Sequence, residues 1–170
     1  MQADGQTLAA GEAQAVAGGR LAGIARRDRS RGENQHGISR VHVSRAAGIA
    51  GDFRGALAAR KNSFKRQVSL IEAESWAAAM ADLRLDLPWW VRRNNLLLHG
   101  IRLPRQEKFV LGIGSECRLL VTMECDPCSR MEEIAPGLKA ALLPDWRGGF
   151  LAEVIADGDI AVGDQVRIEL

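Results

Sequence analysis

The chain has 170 residues, 46% of them hydrophobic and 26% charged, which suits one domain with a sizeable core that need not be disordered. With 23 Lys and Arg against 21 Asp and Glu the net charge is +2, too small to mark a nucleic-acid partner. No apolar run approaches the ~20 residues that span a bilayer, the first residues lack the blocks of a secretory leader, and three cysteines fit a reducing cytoplasm better than a disulfide scaffold.

In chain order, residues 1–19 are rich in Ala, Gly and Gln, and read as a mobile tail ahead of a single domain at 20–170. Residues 20–24 read as a short strand and 26–37 as a polar, glycine-punctuated loop. Val41 and Val43 alternate with Arg40, His42 and Ser44, the period of a half-buried strand. Gly48 to Asp52 reads as a turn, and 53–65 as a basic connection with no clear structure. Residues 67–71 are strand-like. Trp76, Met80 and Leu83 then recur at helical spacing, with Ser69 and Glu72 spaced as a capping box, until Pro88. Strands follow at 95–103, 109–113 and 117–123. Helical stretches at 129–134 and 138–143 are separated by Pro136-Gly137. Strands at 149–155 and 165–170 close the chain, with Gly-Asp turns at Gly158 and Gly163 between them. Seven or eight short strands with two or three short helices favour a mainly β fold, a strongly bent or closed barrel, over a doubly wound parallel sheet.

Charge is unevenly placed along this plan. Residues 20–66 carry twelve basic side chains against Asp28, Glu33 and Asp52, an excess of nine, which leaves the rest of the chain acidic by seven. Such a half implies a local anionic partner such as phosphate, or else a solvated arginine-rich surface.

The strongest local signal is Glu124-Cys125-Asp126-Pro127-Cys128-Ser129-Arg130. Ser129 and Glu132 have capping-box spacing, which places Cys128 just before a helix start. The helix end and Arg130 favour a thiolate there, both a nucleophile and a soft metal ligand. Cys125 and Cys128 also form a Cys-x-x-Cys pair. A structural zinc needs four ligands, and neither Cys117, on an apolar strand, nor His36, His42 and His99 has ligand-like spacing. Cys128 is therefore expected exposed and reactive, Cys117 buried, and Cys125 between them. A second cluster, Arg92-Arg93-Asn94-Asn95, suits bidentate recognition of phosphate or simply caps a strand. Arg66 and Trp146-Arg147-Gly148-Gly149 add weaker basic and close-approach signals.

Taken together, Gly48-Ile49-Ala50-Gly51-Asp52, Arg66-Gln67-Val68-Ser69-Leu70, Arg92-Arg93-Asn94-Asn95-Leu96, His99-Gly100-Ile101, Leu119 to Thr122 leading to Pro127-Cys128, and Trp146 to Gly149 with Gly163-Asp164 resemble the MOSC domain. That family is named for the C-terminal domain of molybdenum cofactor sulfurases, and the likeness runs from about Gly19 to Leu170. It implies a bent, barrel-like fold and a cysteine, matching Cys128, that meets molybdenum or carries sulfur. On that basis Cys128 is the expected catalytic and metal-ligating residue. Asp52, Arg66, Arg92, Arg93, Asn94, Arg130 and Arg147 are the expected contacts to the molybdenum cofactor, molybdopterin, which need not survive purification. Family members often carry His after the Gly-Asp turn. This chain reads Asp52-Phe53-Arg54, so that role has no counterpart and Arg54 supplies only charge.

Three functions follow as expectations. The first is a molybdopterin-binding protein, by resemblance able to support reduction of N-hydroxylated compounds, with electrons from a separate donor protein. The second is a persulfide carrier served by a cysteine desulfurase. The third is a non-enzymatic barrel that binds an anion. None involves nucleic acid or a membrane.

Overall fold

The computed structural model describes residues 18–169. Of the stretch read as a tail, residues 1–17 lie outside the described residues. In chain order the elements are β1 (Gly19–Ile24), β2 (Arg40–Ser44), β3 (Gly48–Ile49), α1 (Phe53–Lys61), β4 (Val68–Glu72), α2 (Ala73–Leu83) and β5 (Leu96–His99). They continue with β6 (Val110–Ile113), β7 (Cys117–Glu124), α3 (Arg130–Ile134), α4 (Leu138–Leu142), β8 (Phe150–Ala156), β9 (Gly158–Ala161) and β10 (Gln165–Glu169). The fold is mainly β. Seven strands close a barrel in the order β1, β10, β6, β7, β8, β4, β5, and β3, β2 and β9 form a smaller sheet. Within the barrel only β4 and β5 run parallel, joined by the α2 crossover.

Alternation explains the barrel. Along β7, Cys117, Leu119 and Val121 point into the core, between the less buried Arg118, Leu120 and Thr122. Strand β4 is buried throughout because it is covered on both sides. Val68 and Leu70 face the barrel interior with Leu21, Leu96, Leu98 and Phe150. Ile71 faces a helical layer built from Trp76 and Met80 of α2, Met131 of α3 and Leu138 and Leu142 of α4. Register shifts between Leu21 and Gly23 of β1 and between Val121 and Met123 of β7 bend those strands.

Several local expectations are corrected. Residues 53–61 form a helix, so there are four helices among the described residues rather than two or three. The cap is Asp52, whose Oδ2 accepts from the Arg54 amide at 3.0 Å. Gly48 and Ile49 are a strand before the turn, and Gly158-Asp159 opens β9 rather than turning; Ile101 and Leu103 are buried but lie beyond the end of β5. Neither capping box forms. Ser69 Oγ donates to Asn95 Oδ1 at 3.0 Å, and Glu72 is drawn to Arg105 and to the Leu103 amide. Glu132 accepts from the amides of Gly137 and Lys139 at 3.0 and 3.1 Å, satisfying the start of α4 instead of α3.

Helix α1 lies directly on the β2–β3 turn. A Cβ on Gly55 would stand 1.7 Å from the Ala47 carbonyl oxygen. Helix propensity alone makes Ala better than Gly by about 1 kcal/mol, whereas forced overpacking costs about 1–3 kcal/mol. Gly55→Ala should therefore lower the thermal midpoint by several degrees. A raised midpoint in a melting curve would show that α1 does not rest on that turn.

Candidate functional site

Three segments converge at the end of β7. The Cys125 amide donates to the Gly149 carbonyl at 2.9 Å, carrying the pairing with β8 one residue past the strand. A 3₁₀ turn at Trp89–Arg92, which sequence reasoning did not anticipate, brings in Arg92. Arg92 is buried; its Nη2 donates to the Cys125 carbonyl at 2.9 Å and lies 3.5 Å from Cys125 Sγ. Asn94 is buried as well, and its Nδ2 donates to the carbonyls of Leu70 and Gly148 at 3.0 and 3.3 Å. The double glycine makes this convergence possible. A Cβ on Gly148 would lie 2.6 Å from the Cys125 carbonyl, and one on Gly149, at φ +106°, would lie 2.1 Å from that of Leu70.

Burial alternates through the segment so fixed. Cys125 and Pro127 are buried, Asp126 and Cys128 exposed. Cys128 is thus the exposed thiol among the three cysteines. Cys117 is buried as expected, and burial pushes its thiol up to about 12. Cys125 does not fall between them. It is 3% exposed, because the chain turns it in against Arg92. Helix α3, which follows Cys128, has only five residues and Ser129 makes no side-chain cap.

Two residues beyond Cys128, Arg130 lines a cleft of about 430 Å³ with Arg27, Arg54, Lys61 and Arg66. Phe53 and Leu57 of α1 supply its apolar wall, and no carboxylate lines it. Asp52 organises the floor. Besides capping α1 it accepts from the Arg27 amide through Oδ1 at 3.1 Å, so one buried carboxylate sets the backbone of both arginines. Burial raises the Asp52 carboxyl, and those two amide bonds oppose the rise. Arg27 is lowered to about 10, first by burial and then by the like charges of Arg93 and Arg54. Arg54 is lowered by burial, which outweighs the stabilisation from Cys125 and Asp52. Among the described residues, none of Arg27, Arg54, Arg66, Arg92, Arg93 or Arg130 makes a salt bridge. The Nε atoms of Arg54 and Arg92 are buried with no hydrogen-bond partner.

The expected site residues divide accordingly. Arg66 and Arg130 line the cleft, and Arg93 joins Arg130 in a smaller neighbouring one. Arg92 and Asn94 lie beneath the cysteine segment, and Asp52 beneath α1. Arg147 points elsewhere: left-handed backbone at Asp145 and Trp146 turns it to Asp82, 2.6 Å away. Sequence reasoning missed Arg27 and reduced Arg54 to a charge. The cap spacing of Asp52 and Arg54 was the available signal for Arg54; Arg27 had none.

The MOSC domain family matches residues 36–167. The chain belongs to the MOSC domain family. That family is associated with molybdenum cofactor binding or sulfuration. The fold agrees with that of YuaD from Bacillus subtilis, with a TM-score of 0.70 at 20% identity over 89% of this chain and 95% of that one. YiiM from Escherichia coli is similar at TM-score 0.62 and 12% identity, over 89% of this chain and 70% of its own. YiiM from Geobacillus stearothermophilus gives 0.59 and 15%, over 91% and 74%. No curated protein matches the sequence. Among the described residues no helix is long and apolar enough to cross a membrane.

The MOSC barrel thus leaves one of its three thiols exposed, and alkylation should read this out. In the native protein iodoacetamide should modify Cys128, with Cys117 and Cys125 labelled only after unfolding. Native-state labelling of Cys125 at a rate comparable with Cys128, resolved by mass spectrometry, would contradict the placement of the cysteine segment.

Proposed function

We propose that this MOSC protein holds a molybdopterin-type cofactor, with Cys128 as a thiolate ligand to the metal and the arginine cleft as the seat of the pterin phosphate. The observation that carries the reading is an exposed cysteine two residues ahead of Arg130, which itself lines a cleft with five basic side chains and no carboxylate; Cys128 stands outside that lining. The donor set fits the group. Molybdenum takes soft sulfur ligands, and a phosphate dianion takes guanidinium forks. A buried donor without an acceptor costs about 1–3 kcal/mol, so the unpartnered Nε atom of Arg54, which lines the cleft, fits a site completed by an anionic group. Among the described residues no three His, Cys, Asp or Glu side chains gather, so a metal at Cys128 would bring its remaining ligands with it, as a dithiolene pterin does.

The roles of the chain's own residues follow. Arg66, Lys61 and Arg130 bind the phosphate at the mouth of the cleft, and Arg27 and Arg54 neutralise it from the floor. Arg92 and Asn94 hold the backbone that presents Cys128. When bound, the metal supplies a two-electron redox couple, which by family resemblance suits reduction of N-hydroxylated compounds. Under this reading the electrons come from a donor protein.

A second reading, a persulfide on Cys128 passed to a sulfur acceptor, draws on the exposure of that thiol. One preparation separates the two. Protein purified from a host that makes the cofactor should carry molybdenum and a fluorescent oxidised pterin in about equal amounts. Cys128→Ser should lose most of the metal, and Arg54→Gln with Arg66→Gln should lower the pterin content at least about tenfold, the effect of some 1.4 kcal/mol. Metal- and pterin-free protein that instead takes up sulfur from a cysteine desulfurase would replace the first reading with the second.

A further inference from the structure

A second cavity, of about 490 Å³, shares no lining residue with either arginine cleft. Its size falls in the range of roughly 300–1,000 Å³ that small-molecule sites occupy. Helix α2 supplies Glu74, Ser75 and Ala78, and the segment after β5 supplies Gly100, Ile101 and Arg102. Glu72, Asp145 and Arg147 complete the lining. Asp145 and Trp146 are successive left-handed residues, at φ +52° and +53°, and neither is glycine. Such backbone persists only where its surroundings enforce it, and it gathers at ligand sites. Here it sets Asp145 and Arg147 on the cavity.

The lining carries both signs, and most of its charges are already paired. Glu72 is buried and accepts from Arg105 through both oxygens, and from the Leu103 amide at 3.1 Å. Asp145 accepts from Arg102 Nη2 at 2.7 Å, and Arg147 Nη1 donates to Asp82 at 2.6 Å. Glu74 differs. It accepts from the Gly100 amide at 2.7 Å, and its one ion-pair partner among the described residues is the His99 imidazole, 3.7 Å away and charged only when protonated. Arg102 spends one terminal nitrogen on Asp145, so the rest of its five-donor fork is open. Gly100 and Arg102 are two residues apart, at most about 7 Å along the chain. A carboxylate without a permanent counter-charge and an open guanidinium edge therefore flank the same short stretch of chain in one compartment.

A bare cation drawn to Glu74 meets Arg102 and Arg147 with its own charge, and a bare anion meets Glu74 and Asp145 in the same way. A ligand that carries both charges close together avoids both penalties. We infer that this cavity binds a small α-amino acid, its ammonium group on Glu74, its carboxylate on the open edge of Arg102, and a short aliphatic side chain against Ala78 and Ile101. The inference goes beyond the cofactor reading and does not depend on it, since no residue of the cavity lines the arginine cleft or belongs to the cysteine segment.

The test titrates isotope-labelled full-length protein with L-valine at neutral pH and constant ionic strength, read by NMR. The amide resonances of Gly100 and Arg102 should shift saturably. N-acetyl-L-valine, which lacks the ammonium, and L-valinamide, which lacks the carboxylate, should each bind at least about tenfold more weakly. The side chains of Glu74 and Arg102 are 52% and 67% exposed, so variants there should fold. Glu74→Gln keeps an acceptor for the Gly100 amide and should weaken L-valine about tenfold. Arg102→Gln should weaken L-valine by a similar factor and leave L-valinamide unchanged, a contrast that general loosening of the cavity would not produce. The inference is overturned by the absence of a saturable shift at Gly100 or Arg102, or by shifts centred on Arg27 and Arg54 instead. Equal affinities for L-valine and its two blocked forms, or a parallel loss of L-valine and L-valinamide in Arg102→Gln, overturn it as well. Molybdenum and pterin content bears on the cofactor reading alone, so the two readings fail separately.

Discussion

Guanidinium groups packed beside one another repel, and this protein gathers Arg27, Arg54, Arg92, Arg93 and Arg130 with one buried carboxylate, Asp52, opposing them at Arg27 and Arg54. The repulsion persists at neutral pH. Arg27 is depressed to about 10, so it remains charged well below that value. Its native state binds fewer protons than the unfolded chain only between about 10 and the ordinary arginine range, and stability gains from its deprotonation only as pH rises through that window. Below the window the unfavourable interaction is constant. Under the proposed function, an anion in the cleft would add to the relief that Asp52 supplies, and the cleft's five basic side chains without a lining carboxylate favour that reading over a solvated surface.

The barrel makes such a cluster tolerable by fixing the backbone on both sides of it. Asp52 accepts the amides of Arg27 and Arg54, joining the loop after β1 to the start of α1. Asn95 accepts from the Ser69 amide and hydroxyl, and donates to the Ala25 carbonyl, which ties β1, β4 and β5 directly under the site. On the other side Arg92, Asn94 and the paired glycines clamp residues 125–128. Arg27, Arg92 and Arg93 donate from their guanidinium groups to backbone carbonyls, and Arg27, Arg54, Arg66 and Arg130 line the cleft.

Legibility followed the kind of signal involved. The barrel was readable because alternation in β2 and β7 and the short strand spacing are local patterns. The exposure of Cys128 was readable because its place beside Pro127 is local too, and so was the basic character that Arg66 and Arg130 bring to one cleft. Helix α1 was obscured by its composition: only Gly55 and Ala58 are buried in it, so it carries little apolar periodicity. Arg27 was invisible for a different reason. Its importance comes from a contact with Asp52, 25 residues away, and from neighbours on three other segments. Arg147 was assigned to the site because it adjoins Gly148, but two successive left-handed residues turn it toward α2, a rotation that spacing does not encode.

The central claim is that the arginine cleft and Cys128 form one site. The most direct measurement is the rate of Cys128 alkylation in phosphate against chloride at the same ionic strength and pH. Phosphate should slow the reaction in a saturable way, and the protection should disappear when Arg66 and Arg130 are both changed to Gln. Identical rates in the two salts, with phosphate shown to bind, would place the anion site and the thiol apart and contradict the account.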